Sequence, residues 1–482
     1  MKLMKKTIAA SGLMLMAASA LVCGQTGSPE ESTAAVAMKP ASVAGAPSAA
    51  ALQNAEEIGT DLLRQALWKV ETQTYFTPNS RLVLLGGDLL VRRDGQVLEL
   101  LDGSTGKPLW ELPITKLEIQ ASPRMIYELI DSSGPGAGLA FSSGMVGSGG
   151  DAFLGGITLP GGTHKWQAKF QGFVPLPVVD GQQIITGAAT ETHHVSGSSP
   201  GTYRGNTVAM DVRALDRDTG RQKWSTPLPF GTLNTGKPLV VGEQVFLVAD
   251  LSTLKENHCR LLALSTRDGT ILYQIPLRDD LLSPPALVNG ELVSVSSNAK
   301  VVGLDPGTGK EKWQVAISPD YDPTRSTFTS IQGYQFLENP PVVAGDKILV
   351  PVVGATNPST GPRGRGFEDQ TSGLAAFDVR THKQVWYFAA PADKGVGDPV
   401  AGAPARRNYK LWLHEVKSGG DLILAKGSGS IGGKPMVLGI DRQQGKLLFV
   451  IPGSYPFAMA GNKAYLTTMR TAYAIPVEVA GK

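Results

Sequence analysis

The chain is poor in cysteine, in histidine and in charge of either sign. Two Cys in 482 residues exclude a disulfide scaffold or a cysteine-based zinc ribbon. Six His, of which only His193 and His194 are adjacent, leave little material for a histidine-rich metal centre. Charged residues make up 18%, with 45 Lys+Arg against 42 Asp+Glu, so the basic excess that marks a nucleic-acid-binding protein is missing. The sequence has no Cys-Cys pair and no Cys-x-x-Cys-His haem site. Beyond the first twenty-odd residues no apolar run approaches the ~20 residues that span a bilayer. A 42% hydrophobic content is nevertheless enough for a large core and too high for a disordered chain. The length suggests three domains at ordinary domain size, unless the fold is all-β and runs longer as one unit.

The N-terminus reads as an export signal. Lys2, Lys5 and Lys6 precede an uncharged apolar stretch from Ile8 to Val22, too short to span a membrane and the right length for a secretory leader. Leu21-Val22-Cys23-Gly24 resembles a bacterial lipoprotein signal, which implies lipidation at Cys23. Ordinary cleavage after Ala18-Ser19-Ala20 is the other reading. Removing the three leader lysines leaves 42 basic residues against 42 acidic ones, so the apparent basicity belongs to the signal. Residues 1–22 are thus expected as signal peptide, 23–52 as a flexible Gly/Ser/Pro/Ala-rich tether, and 53–482 as the folded part, entered by a short helix from Gln53 to Leu67.

One phrase organises the rest. Leu101-Asp102-Gly103-Ser104-Thr105-Gly106-Lys107-Pro108-Leu109-Trp110 recurs as Leu215 to Trp224 and as Leu304 to Trp313. Weaker copies end at Trp386, Phe449 and Tyr273, and the poorest at Trp166. Trp68 looks like the second half of a copy without its first half. Six of the seven Trp occupy this position, with Trp412 the exception, which argues for one packing role. The phrase reads as a strand ending at Leu-Asp, a tight Thr-Gly turn and a second strand carrying the aromatic. Asp and Thr side chains can bond backbone N–H groups of the turn, Gly takes backbone angles that branched residues avoid, and the aromatic covers the contact between neighbouring units. Successive aromatics lie 40 to 73 residues apart, the spacing of four-stranded propeller blades with insertions.

The phrase resembles the repeat of PQQ-like β-propellers, over roughly Leu63 to Val479. The resemblance implies an all-β, eight-bladed β-propeller. Seven aromatic ends from Trp110 to Phe449 close seven blades. The eighth combines the strands from Tyr455 to Ile475 with the orphan strand at Trp68, so that the N- and C-terminal strands close the ring and leave no open edge. Short turns fall on one plain face. The long insertions, Thr190–Gly205, Ser318–Asn339, Ala355–Gly373 and Pro391–Gly420, all fall on the other, decorated face, the usual arrangement when loops on a rigid scaffold carry function.

Candidate chemistry is sparse. His193 and His194 point oppositely if on a strand, and only Glu191 is a nearby acid. The repeat residues Asp102, Asp216, Asp305, Asp378 and Asp441 read as turn formers. Two basic loops on the decorated face, around Arg363 and Arg365 and around Arg406 and Arg407 near Trp412, are the candidates for partner binding. The chain resembles the BamB-like group of outer-membrane lipoproteins, whose eight-bladed propellers scaffold insertion of β-barrel proteins. That resemblance implies a non-catalytic scaffold on the periplasmic face of the outer membrane, held by a lipid anchor, with the β-barrel assembly machinery as partner, no cofactor and no nucleic acid. A soluble periplasmic or cell-surface location is the alternative. The group's partner-contacting Leu-x-Leu-Arg-like run is approached only at Leu277-Arg278. Two other readings remain: a quinoprotein oxidoreductase binding PQQ and Ca²⁺, and a ligand- or glycan-binding propeller.

Overall fold

A computed structural model describes residues 43–44, 48–71, 82–85, 88–93, 97–113, 129–130, 138–143, 151–158, 163–171, 177–195, 205–228, 232–233, 238–250, 259–277, 282–296, 300–317, 340–355, 370–390, 392–393, 409–410, 412–428, 435–454 and 457–477. All of them belong to one compact unit, Ala41–Lys482; Met1–Pro40 forms a separate unit outside the described residues. The expectations at Cys23, Arg278, Arg363, Arg365, Arg406 and Arg407 likewise lie outside the described residues.

Strands dominate because the sequence supplies short, fully apolar runs bounded by turn residues. Val245–Ala249 and Leu261–Leu264 are buried throughout. Their alternate side chains divide between two neighbours. Val245, Leu247 and Leu262 pack with Val212, Ala214 and Trp224 of the preceding sheet. Phe246, Val248 and Leu261 pack with Leu292, Val302 and Leu304 of the following one. A sheet covered on both faces loses the apolar/polar alternation of a half-exposed strand, which is why these runs read as continuous hydrophobic segments.

Among the described residues most strands form eight antiparallel meanders of four that follow one another along the chain; Val43–Ala44 and Thr232–Leu233 each add a fifth strand to one of them, and Ala392–Asp393 pairs separately with Tyr409–Lys410. The third, for example, joins Val178–Asp180, Gln183–Val195, Gly205–Asp216 and Gln222–Leu228 in that order. The last sheet joins Phe457–Ala460, Lys463–Thr467 and Thr471–Pro476 to Trp68–Glu71, with Trp68 opposite Ala474. The two chain ends therefore share one sheet, as the orphan aromatic predicted. First strands of successive sheets touch in order from Val178–Asp180 through Leu239–Val241, Ala286–Val288, Val342–Ala344, Trp412–Gly419 and Phe457–Ala460 to Leu82–Leu85.

Four expectations change. The helix α1 spans Ala49–Arg64 rather than Gln53–Leu67, because Ser48 caps it: the Ala51 N–H donates to Ser48 Oγ at 3.2 Å. The expected tether therefore ends before residue 48, and Val43–Ala44 within it pairs in parallel with Tyr387–Phe388, the outer strand of the sixth sheet. Gly59, unfavourable in a helix interior, lets α1 lie against the strand Leu447–Pro452, since any Cβ there would collide with the Val450 carbonyl. Within the expected loop Thr190–Gly205, Glu191–Val195 form a ladder with Gly205–Ala209, and 196–204 lie outside the described residues. Trp412 does not sit in a loop but opens the first strand of the seventh sheet, opposite Ser428.

Candidate functional site

The described chemistry concentrates where each sheet meets the next, at the turn between third and fourth strands. Asp102 Oδ1 accepts from the Ser104 and Thr105 backbone N–H groups, at 2.9 and 2.7 Å, and from the Ser104 hydroxyl at 2.6 Å. Asp216, Asp305 and Asp378 do the same work with the Thr three residues on. The turn then requires a residue with positive φ. Gly269 takes it at 74°, and only His382 takes it as a non-glycine within a repeat turn, at 57°.

These bonds favour the ionised carboxylate. The Ser104 hydroxyl, then the Thr105 N–H, hold Asp102 down to about 2. The Thr hydroxyls lower Asp216 and Asp305, and the Thr381 N–H lowers Asp378. A folded-state pKa below the unfolded value contributes stability that is present above the unfolded value and is lost as pH falls through the folded one. Urea-unfolding midpoints should therefore drop between about pH 4 and pH 2, and Asp102→Asn should flatten part of that slope. An unchanged slope in the variant would remove Asp102 from the acid response.

The aromatic of one sheet sits on the turn of the next. Nε1–H of Trp68 donates to the Gly103 carbonyl at 3.1 Å, Trp166 to Arg217 at 2.7 Å, Trp224 to Thr266 at 2.9 Å and Trp386 to Arg442 at 3.0 Å. Tyr273 uses its hydroxyl on the Pro306 carbonyl at 2.7 Å. Its burial pushes that phenol up to about 12. Trp313 differs because its facing turn carries His382: the rings stack at 3.9 Å, and the indole donates instead to Glu291 of its own sheet at 2.7 Å. Phe449 has no polar tip and packs among Phe457, Ala464 and Ile475 of the closing sheet.

Two features of this arrangement went unread in the sequence. A β-bulge falls just before the aromatic in seven sheets, leaving Leu109, Lys165, Lys223, Leu272, Lys312, Val385 and Leu448 as the extra residues. A bulge re-aims the side chain that follows it. The residue opposite the aromatic is Gly156, Ala214, Ala263, Gly303, Ala376, Gly439 or Ala474, small enough to leave room for the ring. Leu100 is the exception, and Nε1 of the Trp110 facing it has no partner among the described residues. The small residue two positions before the Asp was the available signal.

Side-chain clamps on the same plain face join neighbouring sheets. Lys347 Nζ reaches Asp346 and Gln443 Oε1, each at 3.0 Å. Arg442 donates to the Ala344 carbonyl at 3.0 Å and to Asp421 at 3.1 Å. Gln183 Nε2 donates to the Thr266 carbonyl at 2.9 Å. Of the sequence-predicted partner-binding residues, Leu277 ends the strand Ile271–Leu277 and Trp412 begins Trp412–Gly419, in different sheets. His193 and His194 lie on one strand opposite Thr207 and Asn206. Among the described residues no three His, Cys, Asp or Glu side chains converge as a metal site, and the repeat carboxylates are engaged in their turns. No helix is long and apolar enough to cross a membrane among the described residues.

Residues 191–387 match the PQQ-repeat family described as outer membrane protein assembly factor BamB. The BamB of Moranella endobia (strain PCIT) is 24% identical over 108 residues, covering 22% of this chain and 28% of that protein. The lanthanide-dependent methanol dehydrogenase of Methylacidiphilum fumariolicum (strain SolV) is 26% identical over 200 residues, covering 37% of this chain and 28% of that protein. This chain thus aligns with under a third of the length of either relative. Among solved structures, a europium-containing methanol dehydrogenase superposes with a TM-score of 0.54 at 12% identity, covering 85% of each chain. The chain has propeller architecture and, over residues 191–387, resembles the PQQ-repeat family described as BamB.

Proposed function

We propose that the chain is an exported, non-catalytic scaffold of the BamB-like kind: an eight-bladed ring that serves β-barrel protein assembly and is held to the periplasmic face of the outer membrane through a lipid on Cys23. The observation that carries this reading is where the repeated polar chemistry goes. Each repeat Asp described is consumed by its own turn, and most repeat aromatics bond the next turn. The conserved pattern within the chain thus builds a rigid ring and leaves recognition to insertions between blades. The family match over residues 191–387 agrees with this reading. The order of contacts between first strands and the sheet shared by the two chain ends support eight blades in one circuit.

Cross-linked pull-down of the full chain from outer membranes tests the scaffold, with barrel-assembly components expected in the eluate. Their absence would sink it. The relation to a methanol dehydrogenase favours a second reading, quinone binding. Adding PQQ and Ca²⁺ should produce no quinone absorbance and no alcohol-dependent dye reduction. Saturable uptake at micromolar PQQ would replace the scaffold with an oxidoreductase.

A further inference from the structure

The bulge residues have a second property besides aiming the aromatics. They lie at the plain-face end of each outermost strand, directly after the turn, and the closing sheet places Leu67 at the same position before Trp68. Several are large, apolar and solvent-exposed: Leu67 at 54%, Leu109 at 49%, Leu272 at 47% and Val385 at 36%. Lys165, Lys223 and Lys312 fill it elsewhere and are exposed too. No acidic residue occupies the position in any sheet. Two residues earlier or nearby, the turns add exposed Lys107, Arg221, Lys310 and Lys446. Acidic neighbours exist on the same face: Asp218 pairs with Lys165 at 3.3 Å, Glu291 with Lys312, Glu243 with Arg267, Asp346 with Lys347 and Asp421 with Arg442, and Glu111, Asp268 and Glu311 are exposed.

Single exposed apolar residues are ordinary on protein surfaces. Repetition at one register position is not, because it sets them around one rim instead of in one patch. A globular partner meets two or three such positions; a flat surface meets them together. Leucine and valine interspersed with long-stemmed lysine is also the composition of an interfacial contact, apolar groups entering the headgroup boundary while ammonium groups meet anionic headgroups.

The chain's own path points to the same face. Val43–Ala44 runs parallel to Gln384–Ala389, so the chain reaches Val43 from the end at which Val385 lies. Residues 24–42, Gly/Ser/Pro-rich, separate that point from Cys23.

We infer that this plain-face rim is a surface for an anionic lipid bilayer, against which the ring lies with its insertions directed away. The orientation rests on the proposed anchor at Cys23; the rim's lipid affinity does not. The test uses the full chain extracted from membranes, carrying Cys259→Ser and one added cysteine at position 109, 272, 385 or 469 labelled with an environment-sensitive dye. It is mixed with phosphatidylethanolamine–phosphatidylglycerol vesicles containing nitroxide lipid. Met469 is equally exposed but lies on the opposite face, in the turn between the second and third strands of its sheet.

Blue-shifted, quenched emission is expected at 109, 272 and 385 and unchanged emission at 469. The combined variant Leu109→Glu, Leu272→Glu and Val385→Glu should partition about tenfold or more weakly, with an unchanged unfolding midpoint. Floating protein with position 469 quenched as strongly as the rim, or with unshifted and unquenched emission at the rim, would overturn the inference, as would protein that does not float. Protein of unacylated mass that floats with a quenched rim would keep the surface and remove the anchor.

Discussion

A chain that begins at residue 72 is expected not to fold as a monomer, and a peptide of residues 43–71 is expected to restore it. The segment crosses three outer edges in turn. Val43–Ala44 lies on the sixth sheet, α1 on the seventh, and Trp68–Glu71 on the closing sheet. Its loss uncovers the strand Thr471–Pro476, an unpaired edge ready to template another chain. It also removes Ala55 and Trp68 from the core, together with the partly buried Leu52, Leu62, Leu63, Ala66 and Val70. A buried Trp alone is worth about 3–5 kcal/mol. The sum therefore exceeds about 5 kcal/mol, comparable with the net stability of a typical domain. Size-exclusion chromatography with circular dichroism should show concentration-dependent association of the shortened chain. A monomer with native unfolding behaviour would mean that seven complete sheets suffice and that the ring does not depend on its two ends.

Trp224→Ala is expected to destabilise the protein by about 3–5 kcal/mol in urea unfolding. The ring is 8% exposed and covers Gly269 of the following sheet, where its indole N–H meets the Thr266 carbonyl. That carbonyl keeps its bond from Gln183, so truncation leaves no orphaned acceptor, and the loss measures packing more than polarity. Trp224→Phe keeps most of the ring and should cost less, about 1–2 kcal/mol. Trp313→Ala should fall between them, because Trp313 is only half-buried and meets the next sheet by stacking on His382 instead of on a turn glycine. A Trp224→Ala cost below about 1 kcal/mol would be too small for a buried aromatic and would deny it the inter-sheet role.

Much of the fold is legible because the turn phrase is local. Asp, Thr and Gly within a few residues satisfy one another, so their spacing alone specifies the turn. The orphan strand at Trp68 was legible for a different reason: a repeat missing its first half needs a partner missing its second. What escaped the sequence depends on residues distant in the chain. Whether Ala214 or Gly303 is small for the sake of the aromatic opposite becomes visible only when the strands are paired and the bulge set between them. The helix start at Ala49 follows from a cap that could have been read at Ser48, whereas Gly59 makes sense only against the carbonyl of Val450.

The candidate site divides in the same way. Leu277, singled out by its likeness to a partner-contacting run, and Trp412, singled out as the tryptophan outside the repeat position, fall in different sheets. By itself the sequence determined the repeat, the turn chemistry and the pairing of the two ends. All of these follow from residue type and spacing along one strand of covalent connectivity. Only the tertiary structure decided which surface each repeat position reaches. The same position before the aromatic reads as Leu, Lys or Val without pattern along the chain. It becomes an exposed rim only because a bulge and a turn, repeated sheet after sheet, bring it to one face.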